Sequence, residues 1–402
     1  MRLDNVVKTY RPNTTSRSYM NGMDRLKCVH YGDIYKNYTD RKLKSSDILN
    51  SISIDFPEHK IIKRNAIIIA DVSETIDDWG HVTFIEFDGT PFINGTHTFA
   101  IVSDCETTLK YLFYYLRSDT TTKILRRFLT GVTVFQMSIK SLSSFKLELP
   151  SIVAQTRIAD ILSAYDDAIE NNNRRIALIE KTARELYHEW FVRFRFPGYE
   201  NVRFLNALPE GWEVKRLGEY CHVTDGTHDT PKETDNGVPL VTGKCINDGF
   251  IDFSRSYLIS ETDHNKIKRR SGLDSGDILF SNIGTVGSTC IVNYDREFSV
   301  KNIIIFKPDS MVKSSYLYYL LTSHSVQDMF SAQTNGASQQ FVGLKFMRRF
   351  KVLIPCDSTL ERFAEIVIPI TKEKHLLRTQ SQNLARQRDL LLPRLMNGKL
   401  DV

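Results

Sequence analysis

From Ile158 to Trp190 the apolar positions recur at alternating steps of four and three: Ile158, Leu162, Tyr165, Ile169, Asn172, Ile176, Ile179, Ala183, Leu186 and Trp190. This is the a/d seam of a heptad, with Asn172 its one polar member. Off the seam lie Asp160, Asp166, Asp167, Glu170, Arg174, Arg175, Glu180, Lys181, Arg184 and Glu185. The pattern predicts a helix about 50 Å long. A stripe so narrow on a helix so long calls for a partner helix. Asn172 reads as a register-setting residue rather than a ligand, and pairs such as Asp166-Asp167 read as solvent-facing charge.

The partner lies in the same chain. Tyr111–Leu116 repeats as Tyr316–Leu321, Gly131 as Gly336, Phe145-Lys146 as Phe350-Lys351 and Pro150 as Pro355, all at one offset of 205 residues. An internal repeat decides the architecture before any other feature does. The same offset carries the seam onto Phe363, Val367, Ile370, Lys374, Leu377, Ser381, Leu384, Arg388, Leu391 and Leu395. This second stripe has the same phase, weakened by Lys374, Ser381 and Arg388. Pro369 predicts a kink or a fresh start. Ser358-Thr359-Leu360-Glu361 has capping-box spacing and predicts the start, and Asn397-Gly398 predicts the stop.

The expected fold class is α+β: two similar globular domains separated by two long antiparallel helices that form a coiled coil about a pseudo-twofold axis. The boundaries read as a first domain over 1–150, a central helix over 151–196, a linker and second domain over 197–357, and a distal helix with tail over 358–402. In the first domain, strands are predicted over 60–70, 81–87 and 98–102, and a helix over 109–127 whose Tyr111, Tyr114 and Tyr115 belong to the core. Phe191-Val192-Arg193-Phe194-Arg195-Phe196 alternates aromatic and basic residues before Pro197-Gly198. Such interleaving can bind single strands, but the Pro-Gly stop and the adjoining helix favour a segment that packs its three Phe residues against a neighbour.

Composition narrows the class. With 402 residues, 41% hydrophobic and 25% charged, the chain reads as two or three soluble domains. It has no apolar run long enough to span a bilayer and no apolar stretch behind Met1 to act as a secretory signal. Cys28, Cys105, Cys221, Cys245, Cys290 and Cys356 are scattered without a C-x-x-C, which fits buried thiols in a reducing cytoplasm and argues against zinc. A net charge of +5 tolerates a nucleic-acid partner. Asp225, His228 and Asp229 have no further ligand at metal-site spacing. Phosphate-binding loops, dinucleotide or S-adenosylmethionine loops, the tetrapeptide of adenine-N6 methylases, H-E-x-x-H and G-x-S-x-G are all absent. A chain of this size without a chemical motif binds rather than catalyses.

Two kinds of loop are left to carry binding. Arg11, Thr14, Thr15 and Arg17 lie in a stretch without helix or strand pattern, and are read either as phosphate and base contacts or as a solvated surface. Asn282 and Thr285 belong to a strand that runs into the Gly284-x-x-Gly287 loop, where glycines let a backbone approach a ligand.

The chain resembles the specificity (S) subunit of type I restriction–modification systems. The resemblance rests on Leu208-Pro-Glu-Gly-Trp212, Asp225-Gly-Thr-His-Asp-Thr-Pro231, Gly276-Asp-Ile-Leu-Phe-Ser281 with Gly284 and Gly287, Leu149-Pro150 leading to Gln155-x-x-Ile158-Ala159, and Leu392-Pro-Arg-Leu-Met-Asn-Gly-Lys-Leu400. It covers nearly the whole chain. It implies that each globular domain is a target-recognition domain reading one half of a split double-stranded DNA target. It also implies that the helices space the halves and dock two modification subunits, and that the chain is not itself an enzyme. The partners, a DNA adenine methyltransferase and ATP-dependent restriction/translocase subunits in the cytoplasm, would use S-adenosylmethionine, ATP and Mg2+. Two departures stand out. Met1-Arg2-Leu3 aligns with Arg216-Leu217 rather than with the Gly211-Trp212 opening, and Gln155 falls on Leu360.

Within that frame, Gly131-Val132-Thr133-Val134-Phe135-Gln136 and Gly336-Ala337-Ser338-Gln339-Gln340 are the shared loops suited to DNA approach. Thr133, Gln136, Ser338, Gln339 and Gln340 are their candidate contacts, because glutamine can pair with adenine N6 and N7. Each loop can equally be a glycine turn. Lys244, Arg255 and Lys301 are phosphate candidates. The competing class is a coiled-coil assembly or scaffold protein without DNA recognition.

Overall fold

The computed structural model describes residues 1–15, 26–53, 55–247, 249–284, 286–334 and 341–400. Arg17, Thr285, Ser338, Gln339 and Gln340 lie outside the described residues. The chain divides into two compact units, one of Met1–Asn173 with Thr379–Val402, the other Arg174–Arg378.

In the first unit the main sheet runs in the order Lys8–Tyr10, Thr98–Val102, Ala66–Ala70, Val82–Glu86, Lys42–Lys44. All neighbours are antiparallel except the last pair. Its central strands are buried on both faces, so they read as near-continuous apolar runs, and the period of two sorts their side chains between two cores. Ile67, Ile69, Phe84, Phe99 and Ile101 pack with Leu109, Leu112 and Phe113 of the helix Glu106–Arg117. Ala66, Ile68, Ala70, Ala100 and Val102 face Val29, Ile34, Ile48 and Phe92 on the other side.

The second unit repeats this plan. Its main sheet runs His222–Asp225, Ile303–Lys307, Ile278–Ser281, Thr289–Ile291, antiparallel throughout. Ile278, Phe280, Ile304 and Phe306 face one core, and Leu279, Ile303 and Ile305 the other. Thr98–Val102 and Ile303–Lys307 begin 205 residues apart, as do Glu106–Arg117 and Met311–Leu321, and Asp119–Arg126 and His324–Thr334. Backbone bonds repeat as well: Leu3 N donates to Phe145 O at 2.8 Å, and Leu217 N to Phe350 O at 2.9 Å. Arg2 therefore stands where Arg216 stands, each bridged to the equivalent strand, Arg2 to Lys146 and Arg216 to Lys351.

The long helices run Ile152–Tyr187, followed by a π-helical turn His188–Val192, and Asp357–Met396. In the first unit Ile158 and Leu162 share a core with Leu392 and Leu395, and Asp166 pairs with Arg388. In the second, Trp190 meets Phe363 with ring centroids 5.9 Å apart, and Glu180 pairs with Lys374. In each unit one number rises as the other falls, so the paired segments are antiparallel. None of the predicted seam residues on either helix is exposed.

Several expectations are corrected. The predicted helix over 109–127 is two helices. Ser118 is extended, closes the first and caps the second by accepting from Thr121 N. The strand expected over 60–70 is confined to Ala66–Ala70. The distal helix begins at Asp357, one residue before the predicted capping box, and passes Pro369 without a fresh start. Pro369 is exposed, and the flanking turns are anchored by buried Leu360, Phe363, Val367 and Thr371. The one backbone bond that proline removes is thus lost on the solvent side.

Cys105 is exposed rather than buried. Asp166 is not solvent-facing charge: it accepts from Tyr114 Oη at 2.8 Å, pairs with Arg117 at 3.0 Å and with Arg388, and is 12% exposed. Lys374 and Arg388, polar interruptions of the seam, are each held by a carboxylate of the central helix. The aromatic linker packs as expected, with Phe191, Phe194 and Phe196 all ringed on Trp212 at 5.2–5.8 Å between centroids.

Candidate nucleic-acid interface

In an antiparallel sheet the end of one strand lies beside the start of its neighbour. In the first unit this rule gathers the residues after Tyr10, before Thr98 and after Ala70 at one end of the sheet. Buried Asn94 organises that end. Its Nδ2 donates to Arg11 O at 3.0 Å and to Thr98 O at 2.8 Å, and its backbone carbonyl accepts from Asn13 Nδ2 at 2.9 Å. Thr96 Oγ1 accepts from Thr15 N at 2.9 Å and donates to Thr15 O at 2.9 Å. The loop after Tyr10 is thereby pinned with alternating orientation: Asn13 and Thr15 face inward, Arg11 and Thr14 outward. Of the candidates here, Arg11 and Thr14 are free to meet a ligand, whereas the Thr15 side chain is engaged in the frame.

The short pair Val72–Ser73 with Phe135–Gln136 brings the glycine loop to the same end. Gly131 has φ +122°, and a Cβ there would overlap the Val134 carbonyl oxygen, so the turn requires glycine. Thr133 is exposed at its tip beside Val132, which is 93% exposed. Behind it sits Asp71, buried, which accepts from Gln136 Nε2 at 3.2 Å, with His97 Nδ1 3.4 Å from its other oxygen. Burial raises the Asp71 pKa, while the contacts from Gln136 and His97 draw it back down. His97 has a left-handed backbone (φ 57°) and meets Tyr31 edge-on at 5.5 Å.

The second unit builds the equivalent end from other side chains. Asn302 takes the place of His97, with φ 53°, and its Oδ1 accepts from His228 Nδ1 at 3.0 Å. His228 Nε2 contacts Asp225 Oδ2 at 2.8 Å. The hydrogen bonds with Asn302 and then Asp225 raise the His228 pKa. Arg270 reaches Asp225 at 3.2 Å and the Gly226 carbonyl. Gly226 lies so close to the next strand that a Cβ would overlap the Val300 carbonyl oxygen. Lys301 is half-buried, bridged to Thr227 and bonded to Thr230. Asn282 is buried and turned inward, donating to Val342 O at 3.3 Å. Lys244 and Arg255 are exposed on neighbouring 3-10 turns joined by Asp252 N to Cys245 O.

Reasoning from sequence missed Asp71, Asn94, Thr96, His97, Arg270 and Asn302. The signal available was a polar residue closing an apolar run, Asp71 after Ala66–Ala70 and Asn282 after Ile278–Ser281, and the pair His97 and Asn302 one repeat offset apart. Among the described residues no group of three or more His, Cys, Asp or Glu is placed to hold a metal ion. No described helix is long and apolar enough to cross a membrane.

One frame presenting two differently furnished polar ends defines a duplicated recognition module. The model of the type I restriction modification DNA specificity domain matches residues 24–181 and again 209–386. The chain belongs to this family: it is a specificity subunit of the type I restriction–modification kind, which recognises DNA sequence, with two target-recognition domains. The type I restriction enzyme MjaIX specificity subunit of Methanocaldococcus jannaschii is 27% identical over 73% of this chain and 69% of its own. The HindI specificity subunit of Haemophilus influenzae is 21% identical over 96% of this chain and 97% of its own. The crystal structure of a type I S subunit from M. genitalium aligns with a TM-score of 0.59 and 14% identity, covering 98% of this chain and 95% of that one, a likeness of fold.

Proposed function

We propose that each unit reads one half of a bipartite duplex target with the sheet end described above, and that the antiparallel helices set the gap between the halves. The observation that supports this most is the repeated backbone frame carrying different polar side chains: Asp71, Gln136 and His97 in one unit, Asn282, His228 and Asn302 in the other. A frame fixes where a base edge is met, and the side chains select which base. Arg11 and Lys301 supply phosphate contacts. The outer faces of the helices dock two modification subunits, to which restriction/translocase subunits add. Those partners bring S-adenosylmethionine, ATP and Mg2+ in the cytoplasm, while this chain selects the site.

Adding one heptad to each helix at facing positions keeps the seam in phase and lengthens each by about 10 Å. Methylation mapping with that variant is expected to show the same two half-sites separated by a gap about three base pairs longer. Altered half-sites with an unchanged gap would reject the spacer role.

A further inference from the structure

We propose that Gln136 is a base-reading residue of the first half-site, selecting adenine, and that buried Asp71 is the positioning residue that gives it this specificity. The inference rests on the DNA-reading role proposed above and assigns one contact within it.

A glutamine carboxamide is ambiguous by itself. It has an acceptor oxygen and a donor nitrogen of nearly equal size, and in water it turns freely to suit any partner. Gln136 is not free to do so. Its side chain is at the exposed end of the sheet, yet Nε2 lies 3.2 Å from Asp71 Oδ2. Asp71 is 2% exposed, and its second oxygen has His97 Nδ1 at 3.4 Å and no hydrogen bond from the remaining described residues. An ionised carboxylate only accepts. It therefore dictates which way the amide faces, nitrogen inward.

One N–H of the amide is then spent on Asp71. The oxygen and the other N–H remain together on the outward edge. An acceptor beside a donor is the complement of the adenine major-groove edge, where N6–H donates and N7 accepts. Guanine, which presents two acceptors there, leaves the Gln136 oxygen facing an acceptor.

Asp71 is itself fixed by backbone. Asp71 N donates to His97 O at 3.1 Å, and Asp71 O accepts from Met137 N at 2.8 Å. The backbone that carries the carboxylate is thus held by the two segments it joins, one of which carries Gln136. The second unit shows what the frame needs from this position and what it does not. There Asn282 occupies the Asp71 place, with Asn282 O accepting from Val342 N at 3.0 Å, and Phe341 occupies the Gln136 place, 53% exposed. The frame folds with an uncharged amide behind and no amide in front. The Asp71–Gln136 pair is therefore not a requirement of the fold, which leaves recognition as its use.

The test is selection of bound duplexes from a randomised bipartite library by the full chain with its modification subunits, comparing wild type, Gln136→Ala and Asp71→Asn. Asp71→Asn is isosteric and copies the residue already tolerated in the second unit, so its thermal unfolding is expected to match wild type. Wild type should select A at one position of the first half-site. Gln136→Ala should accept all four bases there, with affinity for the wild-type site down about 5- to 100-fold. Asp71→Asn, which can both donate and accept, should relax the same position and no other. Selection of A unchanged in Gln136→Ala, or Asp71→Asn relaxing other positions or none, would overturn the assignment. Failure of wild type to select any motif would instead reject the DNA-reading role beneath it.

Discussion

The two units are alike where backbone meets backbone and unlike where side chains meet solvent. Both carry the same order over four strands of the main sheet, helices that start at one constant offset, and a left-handed residue before the shared strand, His97 in one and Asn302 in the other. Behind each, a tyrosine one offset apart touches a carboxylate of the central helix: Tyr114 Oη to Asp166 at 2.8 Å, Tyr319 Oη to Glu180 at 3.5 Å. Each carboxylate pairs with a cation of the distal helix, Arg388 or Lys374. The polar ends share almost no residue types. A frame held by main-chain hydrogen bonds tolerates new side chains on its rim, so one fold can present two recognition surfaces.

The ion pairs behind the tyrosines are the strongest place to break this likeness. Asp166→Ala leaves buried Arg117 without its carboxylate and Arg388 with Asp389 alone, itself 59% exposed, and is expected to destabilise the first unit by about 3–5 kcal/mol, read by denaturant unfolding. Lys374→Met should cost less, about 2 kcal/mol, because Glu180 keeps Arg184 at 2.9 Å. Asp167→Ala, one residue along and 60% exposed, with Lys42 paired to it at 3.0 Å, should cost below about 1 kcal/mol. Equal costs for Asp166 and Asp167 would mean that the buried lock is no lock.

The smallest effect distinguishes the two polar ends by pH. His228 has its pKa raised in the folded chain, so its hydrogen bonds stabilise the second unit fully below the ordinary histidine pKa. That contribution fades as pH climbs through the raised value. His228→Gln should flatten the pH dependence of melting of the second unit between about pH 6 and 8, with a small change in Tm because the ring is more than half exposed. The same slope in wild type and variant would show that His228 does not hold the loop.

How much of this was legible in the sequence depended on spacing. From Thr98 onward the first unit keeps one offset to the second, so its strand, helices and long seam could be read off by shifting the chain. Before Thr98 the loops differ in length, and the matching strands Ala66–Ala70 and Ile278–Ser281 share only an apolar character, so that half of the repeat was invisible. The same limit hid the lock. Helical periodicity assigned Asp166 to the solvated face because it counts only the helix against one partner. Tyr114 and Arg117 come from a third element and bury that face. The recognition end was half legible: Arg11, Thr14, Thr133 and Gln136 are where a ligand could meet them, whereas Asp71 and Asn94, which hold the edge in shape, looked like ordinary polar residues beside apolar runs.

The central claim is that each unit governs one half of the target by itself. The most direct measurement is selection from a library with both half-sites and the gap randomised, using the full chain with its modification subunits as wild type, Gln136→Ala and His228→Ala. The account predicts that Gln136→Ala relaxes only one half, His228→Ala only the other, and that the gap is the same in all three. Either variant altering both halves, or shifting the gap, would contradict it.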